Sequence, residues 1–150
     1  MKPIFKIKRF NELSLSELYE SLQLRSEVFV VEQNCVYQDV DGKDTKAIHV
    51  LGMFDNTVVA YARLFAPGDY FENASIGRVV ISEKYRDRKW GHDLIKESLQ
   101  AIKTHYNAKG VTISAQLYLK KFYESHGFIQ QGEGYLEDGI PHIEMNLSFV

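Results

Sequence analysis

The stretch from Gly77 to Leu94 restricts this chain more than any other. Val79-Val80-Ile81 reads as the end of a strand buried on both faces, because an unbroken β-branched run suits a sheet covered on two sides. It leads into a turn holding Arg86, Arg88 and Lys89, and an apolar-faced helix begins at about Gly91. The first turn of a helix leaves N–H groups unpaired and carries a partial positive charge, so it favours an anion. Gly91 lets backbone approach a phosphate closely, and three cations beside it suit a ligand with more than one phosphate. A charged surface turn ahead of an ordinary helix is the competing reading, and composition does not separate the two. The pattern is not a Walker loop, which needs Gly-Lys-Ser/Thr. Nor is it a dinucleotide fingerprint, since one of the three required glycines is present.

Around this segment the hydrophobic pattern sets out an alternating architecture. A first strand is expected near Ile4–Arg9, where Phe5 and Ile7 alternate with lysines. Ser14-Leu15-Ser16-Glu17 is a capping box, and Leu15, Leu18, Tyr19 and Leu22 form an apolar stripe on a helix over Leu15–Val30. Ala47–Phe54 and Thr57–Phe65 flank Asp55-Asn56 as an antiparallel hairpin, and Ser75–Ile81 is a third strand. A helix over Gly91–Tyr106, a buried strand over Val111–Ala115 and a short helix over Leu119–Ser125 capped by Gly127 follow. Closing strands are placed at Ile129–Gly132 and Ile140–Leu147, with Glu137-Asp138-Gly139 as the turn before the second. The order β-α-β-β-β-α-β-α-β-β implies an α/β domain, a mixed, mostly antiparallel sheet with helices on both faces.

Residues 1–150 are read as one domain, since no linker, repeat or low-complexity tract interrupts the chain. Eighteen basic against twenty acidic residues give a net charge of −2, which supplies no field for nucleic acid or anionic lipid. No run approaches the roughly 18 apolar residues of a membrane helix. The first nine residues lack the apolar stretch of a signal peptide, so a cytoplasmic location is expected. The one cysteine, Cys35, excludes an internal disulfide and is read as a buried or loop thiol. Five dispersed histidines show no metal spacing, so no metal is expected. Asp39-Val40-Asp41-Gly42-Lys43-Asp44 has a misplaced glycine and no closing glutamate for a calcium loop. It is read as a solvated acidic turn.

Arg86-x-x-Lys89-x-Gly91-His92, placed after a Val-Val-Ile strand, resembles the acetyl-CoA motif Gln/Arg-x-x-Gly-x-Gly/Ala of the GNAT superfamily of N-acyltransferases. Lys89 stands where that pattern has its first glycine. Ala115 to Phe128 is similar to the Asn-x6-Tyr-x3-Gly-Phe element, with Gln116 in place of asparagine. Leu24–Gln33, Asp39-Val40-Asp41, His49 and Asp138 to Ile143 resemble the ElaA-like branch. The resemblance spans nearly the whole chain, and none of its motifs names a substrate.

The resemblance implies a GNAT-type acyltransferase fold that moves an acetyl group from acetyl-CoA to a primary amine through a tetrahedral intermediate. Val79, Val80 and Ile81 would offer backbone groups to pantetheine, with an N–H near Val80 for the oxyanion. Arg86, Asp87, Arg88, Lys89, Trp90, Gly91 and His92 would take the diphosphate end of the coenzyme, and Gln116 and Tyr123 would complete its site. Gly77 fits a bulge that splays its strand from Val111–Ala115. Tyr123 is assigned the proton for the leaving thiolate. The base is sought among Glu32 and His142, with His49 and Glu144 as further candidates; His142 and Glu144 share one strand face.

Acceptors compatible with this reading are a small-molecule amine or a peptide amine. The acidity of Glu32, Asp39 and Asp41 favours a cationic acceptor, whereas Arg63 and Arg78 would instead hold a carboxylate. Exposed closing strands suggest a homodimer. A catalytically silent acyl-CoA-binding sensor, and a site for a different phosphate ligand such as a nucleotide, are the alternatives.

Overall fold

A computed structural model describes residues 1–150. One sheet contains β1 (Ile4–Arg9), β2 (Ile48–Phe54), β3 (Thr57–Phe65), β4 (Ala74–Ile81), β5 (Gly110–Gln116), β6 (Ile129–Glu137) and β7 (Ile140–Ser148). Their spatial order is β1-β2-β3-β4-β5-β7-β6, so β7 is inserted between β5 and β6. All neighbours are antiparallel except β4 and β5. Helices α1 (Leu15–Arg25), α2 (Trp90–Tyr106) and α3 (Lys120–Glu124) complete the α/β order expected from the sequence. No helix is long and apolar enough to cross a membrane.

The period-2 alternation of the strands divides the core in two. Val50, Ala60, Ala62 and Leu64 pack with Leu94, Ile95 and Ile102 of α2 and with Tyr123 and Phe128. Leu51, Tyr61 and Val80 turn the other way and pack with Leu24 and Val28. The hairpin turn works as its residues require: Asp55 and Asn56 both have positive φ, the conformation that matches the strand twist in a two-residue turn.

Three features depart from the sequence pattern. The first closing strand does not stop at Gly132. The register shifts between Gln131 and Tyr135, Gly132 adopts a φ of 70°, and the strand resumes through Glu137. The first helix changes winding at Arg25, and Ser26–Glu32 continues as a π-helix. Its apolar stripe does not form the buried face: Leu15 is 89% and Tyr19 72% exposed, Leu18 and Leu22 are half-buried, and Glu17, Ser21, Leu24 and Arg25 are buried. Polar demand overrides the hydrophobic period here. The Glu17 carboxylate closes the capping box on the Ser14 N–H at 2.9 Å and accepts from Lys8 Nζ at 2.8 Å. Burial alone would raise its pKa, but these lysine and backbone partners bring it down to about 2.

Arg25 faces inward for a different reason. Asp39–Asp44, expected to be a solvated acidic turn, is the acid half of a buried ion cluster. Arg25 donates from Nε to Asp39 at 2.9 Å and from Nη1 to Asp44 at 3.0 Å. Arg63 donates to both Asp41 oxygens, at 2.8 and 2.9 Å, and to Asp44 at 2.9 Å. Arg78 reaches Asp39 at 2.7 Å and Asp41 at 3.5 Å. His49 is sealed beneath, with Nδ1 at 2.6 Å from the Tyr61 hydroxyl and Nε2 at 2.9 Å from the Asp44 carbonyl. Burial and the neighbouring arginines lower its pKa, outweighing the pull of Asp44.

Asp44 accepts from two guanidinium groups that are each 1% exposed, so its charge cannot be replaced by water. Asp44→Asn should therefore cost about 3–5 kcal/mol at neutral pH, read as a lower denaturant midpoint. Burial works against this carboxylate, but Arg25 and Arg63 hold its folded pKa below the ordinary 3.8. The native advantage is thus present above 3.8 and is lost as pH falls toward the folded value. The gap between variant and parent should narrow over that acid range.

Candidate active site

The strands β4 and β5 pair only at Ala74–Val111 and Ser75–Thr112, then diverge. A bulge on the other edge of β4 accompanies the divergence. Tyr61 stands opposite Val80 and Arg63 opposite Gly77, so Arg78 and Val79 share the place of one residue. Gly77 has an ordinary φ; the left-handed residue is Arg78, at 51°. A side chain in that conformation costs on the order of 1–2 kcal/mol. Asp39 and Asp41 fix Arg78 from the far face, and the Tyr37 ring lies 5.4 Å from its guanidinium. The ion cluster therefore anchors the bulge beside the opening.

The opened strands frame a cavity of about 570 Å³. One end is lined by Arg86, Lys89, Gly91, His92 and Phe122; Val79–Ile81 and Ala115, Gln116, Tyr118 and Tyr123 line the middle. Tyr37, Arg63, Phe65, Tyr70 and the β6–β7 turn with His142 line the remainder. Val79 and Ile81 are only partly buried, contrary to the two-sided burial expected of their run, because the groove takes the place of a covering strand.

The basic turn divides its side chains between two sides. Lys89 and Arg86 line the cavity, but Asp87, Arg88 and Trp90 do not. Trp90 is 2% exposed and stacks on Tyr85 with centroids 5.0 Å apart. Arg88 caps that aromatic group, lying 5.1 Å from the Tyr85 centroid and 5.4 Å from that of Trp90. Arg88 therefore serves packing, not the cavity.

Lys89 precedes α2 with a φ of 61°, no side chain caps the helix, and Lys89 has no ion-pair partner. The position that demands a glycine is thus residue 89. A Cβ at Gly91 would sit 3.4 Å from the Phe122 ring, an ordinary contact. His92 Nδ1 lies 2.9 Å from His126 Nε2, and burial, then the His92 and Lys96 charges, lowers the His126 pKa.

Glu32 is brought to the cavity by the π-helical run, which shifts the helical phase after Arg25. There it forms a two-toothed ion pair with Arg86, one contact being Nη2 to Oε1 at 2.8 Å. That hydrogen bonding lowers the Glu32 pKa and makes it a poor proton acceptor. Gln33 and Gln116 exchange side-chain amide bonds of 3.2 and 3.3 Å, joining the same run to the end of β5. The other base candidates divide clearly. His49 lies within the ion cluster, and Glu144 does not line the cavity. His142 does, with Nδ1 at 2.7 Å from the Ile140 carbonyl and Nε2 at 3.5 Å from Glu137. The Nδ1 contact requires the proton on Nδ1, which leaves Nε2 as the exchanging nitrogen.

Tyr123 is 5% exposed, and its hydroxyl has no hydrogen-bond partner within the protein although it is not sealed from solvent. Burial, with a smaller push from Tyr118, raises its pKa and keeps the phenol protonated. Sequence spacing did not reveal Phe29, Gln33, Cys35, Tyr37, Phe65 or Glu137 as lining residues. Phe29 and Gln33 lie in the block that resembles the ElaA-like branch, Cys35 reads as a buried or loop thiol, and Glu137 is marked only as part of a turn. Replacing Lys89 with glycine should relieve the left-handed strain and raise unfolding free energy by roughly 0.5–1 kcal/mol, measured by denaturant titration.

The acetyltransferase (GNAT) domain model matches residues 15–149. Protein ElaA of Escherichia coli is 49% identical over 137 residues, covering 90% of each chain. The crystal structure of Escherichia coli ElaA superposes with a TM-score of 0.91 at 44% identity, covering 97% of this chain and 99% of that one. An acyl-CoA N-acyltransferase from Pseudomonas aeruginosa gives 0.90 at 42% identity with the same coverage.

Proposed function

The chain belongs to the GNAT acetyltransferase family, which transfers acyl groups from acyl-CoA to amines, and on that premise we propose that it acetylates a primary amine with acetyl-CoA as donor. One observation carries the reading. The splayed end of β4 leaves strand backbone without a neighbour, and the uncapped N-terminus of α2 lies at the same groove.

The unpaired backbone of Val79–Ile81 suits the amides of pantetheine as an added strand would. The first N–H groups of α2 suit the diphosphate, with Lys89 as the cation without a protein partner; Arg86 is held by Glu32. The amine nitrogen attacks the thioester carbonyl, the C–N bond forms, and the negative oxygen is met by an N–H near Val80. His142 Nε2 takes the ammonium proton. The C–S bond breaks, and the departing thiolate takes its proton from the Tyr123 hydroxyl. A raised phenol pKa makes this transfer uphill from rest, so it accompanies bond cleavage and depends on position.

Thiol release from acetyl-CoA across an amine panel, with calorimetry of coenzyme binding, tests the reading; no binding heat and no thiol would overturn it. Tyr123→Phe should lower kcat by about 10²-fold while leaving acetyl-CoA affinity unchanged, as expected for loss of one positioned proton donor. His142→Ala should lower kcat by a similar factor and shift the pH dependence of the rate, measured under saturating donor.

A further inference from the structure

The arginines lining the cavity are already matched by the protein's own acids. Arg63 and Arg78 share Asp39, Asp41 and Asp44 with Arg25, three cations against three anions, and Arg86 is paired with Glu32. The unpartnered Nε of Arg63 is closed to solvent, so it offers no second contact to a ligand. The acids expected to attract a cationic acceptor, and the arginines expected to hold a carboxylate, thus neutralise one another.

Among the side chains that line that end of the cavity, what stays unmatched is negative; Lys43, on the Tyr70 ring, lies outside the lining. Glu137 is 46% exposed at its side chain, accepts from Ser114 Oγ at 3.1 Å, and stands 3.5 Å from His142 Nε2. Asp138 follows it at the tip of the hairpin with no ion-pair partner. The adjoining wall is aromatic: Phe65 and Tyr70 are stacked with centroids 5.2 Å apart, and Tyr37 lines the same part of the cavity. Each of these rings already faces a cation of the protein, Arg63 at 4.9 Å from Phe65, Lys43 at 4.8 Å from Tyr70 and Arg78 at 5.4 Å from Tyr37. The wall therefore offers apolar surface, and the carboxylate is what suits a cationic head.

We infer that the acceptor is a small alkyl- or arylalkylamine that carries no carboxylate next to its nitrogen. This rests on the N-acetyltransferase reading above. Glu137 receives the ammonium form, which loses one proton to solvent before attack, and the neighbouring His142 Nε2 takes the second as the C–N bond forms. An α-carboxylate at the same place would meet Glu137 and Asp138, and the arginines within reach are matched by aspartates.

Matched pairs test the inference: phenethylamine against phenylalanine, and pentylamine against norleucine, by thiol release at saturating acetyl-CoA. Each amine should exceed its carboxylated partner at least tenfold in kcat/KM. Glu137→Gln should raise KM for phenethylamine about tenfold without altering the Kd of acetyl-CoA. Glu137→Lys should narrow or invert the preference within each pair. Equal or better use of phenylalanine and norleucine, or unchanged KM in both Glu137 variants, would overturn the proposal while leaving the N-acetyltransferase reading intact. Failure of acetyl-CoA to bind at all, by calorimetry, would overturn that reading and this inference with it.

Discussion

Three arginines and three aspartates beneath one face of the sheet, four of them buried and Arg78 and Asp41 half-buried, hold the rest of the structure in register. Burying separate charges is costly, but here each is met by several directional bonds, and Asp44 alone accepts from two guanidinium groups. The participants come from α1, the 39–44 segment, β3 and β4, so the cluster ties together parts of the chain far apart in sequence. It also explains why α1 turns Arg25 inward and leaves Leu15 and Tyr19 to solvent.

The same cluster reaches the groove through Arg78. A bulky residue in the left-handed region needs its surroundings to hold it, and Asp39, Asp41 and Tyr37 do so from the face away from α2. The bulge adds a residue to one edge of β4 as its other edge leaves β5. Strand backbone lies free next to the start of α2, whose own first-turn N–H groups lack a side-chain cap, so two kinds of unpaired donor meet at the groove. The ion cluster and the groove are therefore one construction, with Arg63 and Arg78 belonging to both.

Much of this was legible along the chain. Capping at Ser14, the Asp55-Asn56 turn, the apolar face of α2 and the helix stop at Gly127 each follow from local chemistry, and local chemistry survives folding. The strand–turn–helix of Gly77 to Leu94 was legible for the same reason. Its side chains were not: Arg88 and Trp90 belong to an aromatic stack with Phe54, a β2 residue that no local pattern connects to them. Gly77 suggested a bulge one residue from its true centre, because the left-handed position is held by ion pairs and not by a missing Cβ.

What the sequence determined by itself is the order of elements, most of their caps and turns, and the basic turn that leads into α2, since each depends on neighbours within a few residues. Tertiary structure alone decided which charges are free. Asp39, Asp41 and Asp44 look like a solvated run until β3 and β4 deliver their arginines, and Glu32 looks like a base until Arg86 reaches it. Glu137 meets His142 through the β6–β7 hairpin itself, but only the insertion of β7 next to β5 adds Ser114 and sets the pair at the cavity. Charge pairing acts through space over a few ångströms, and only folding sets those distances.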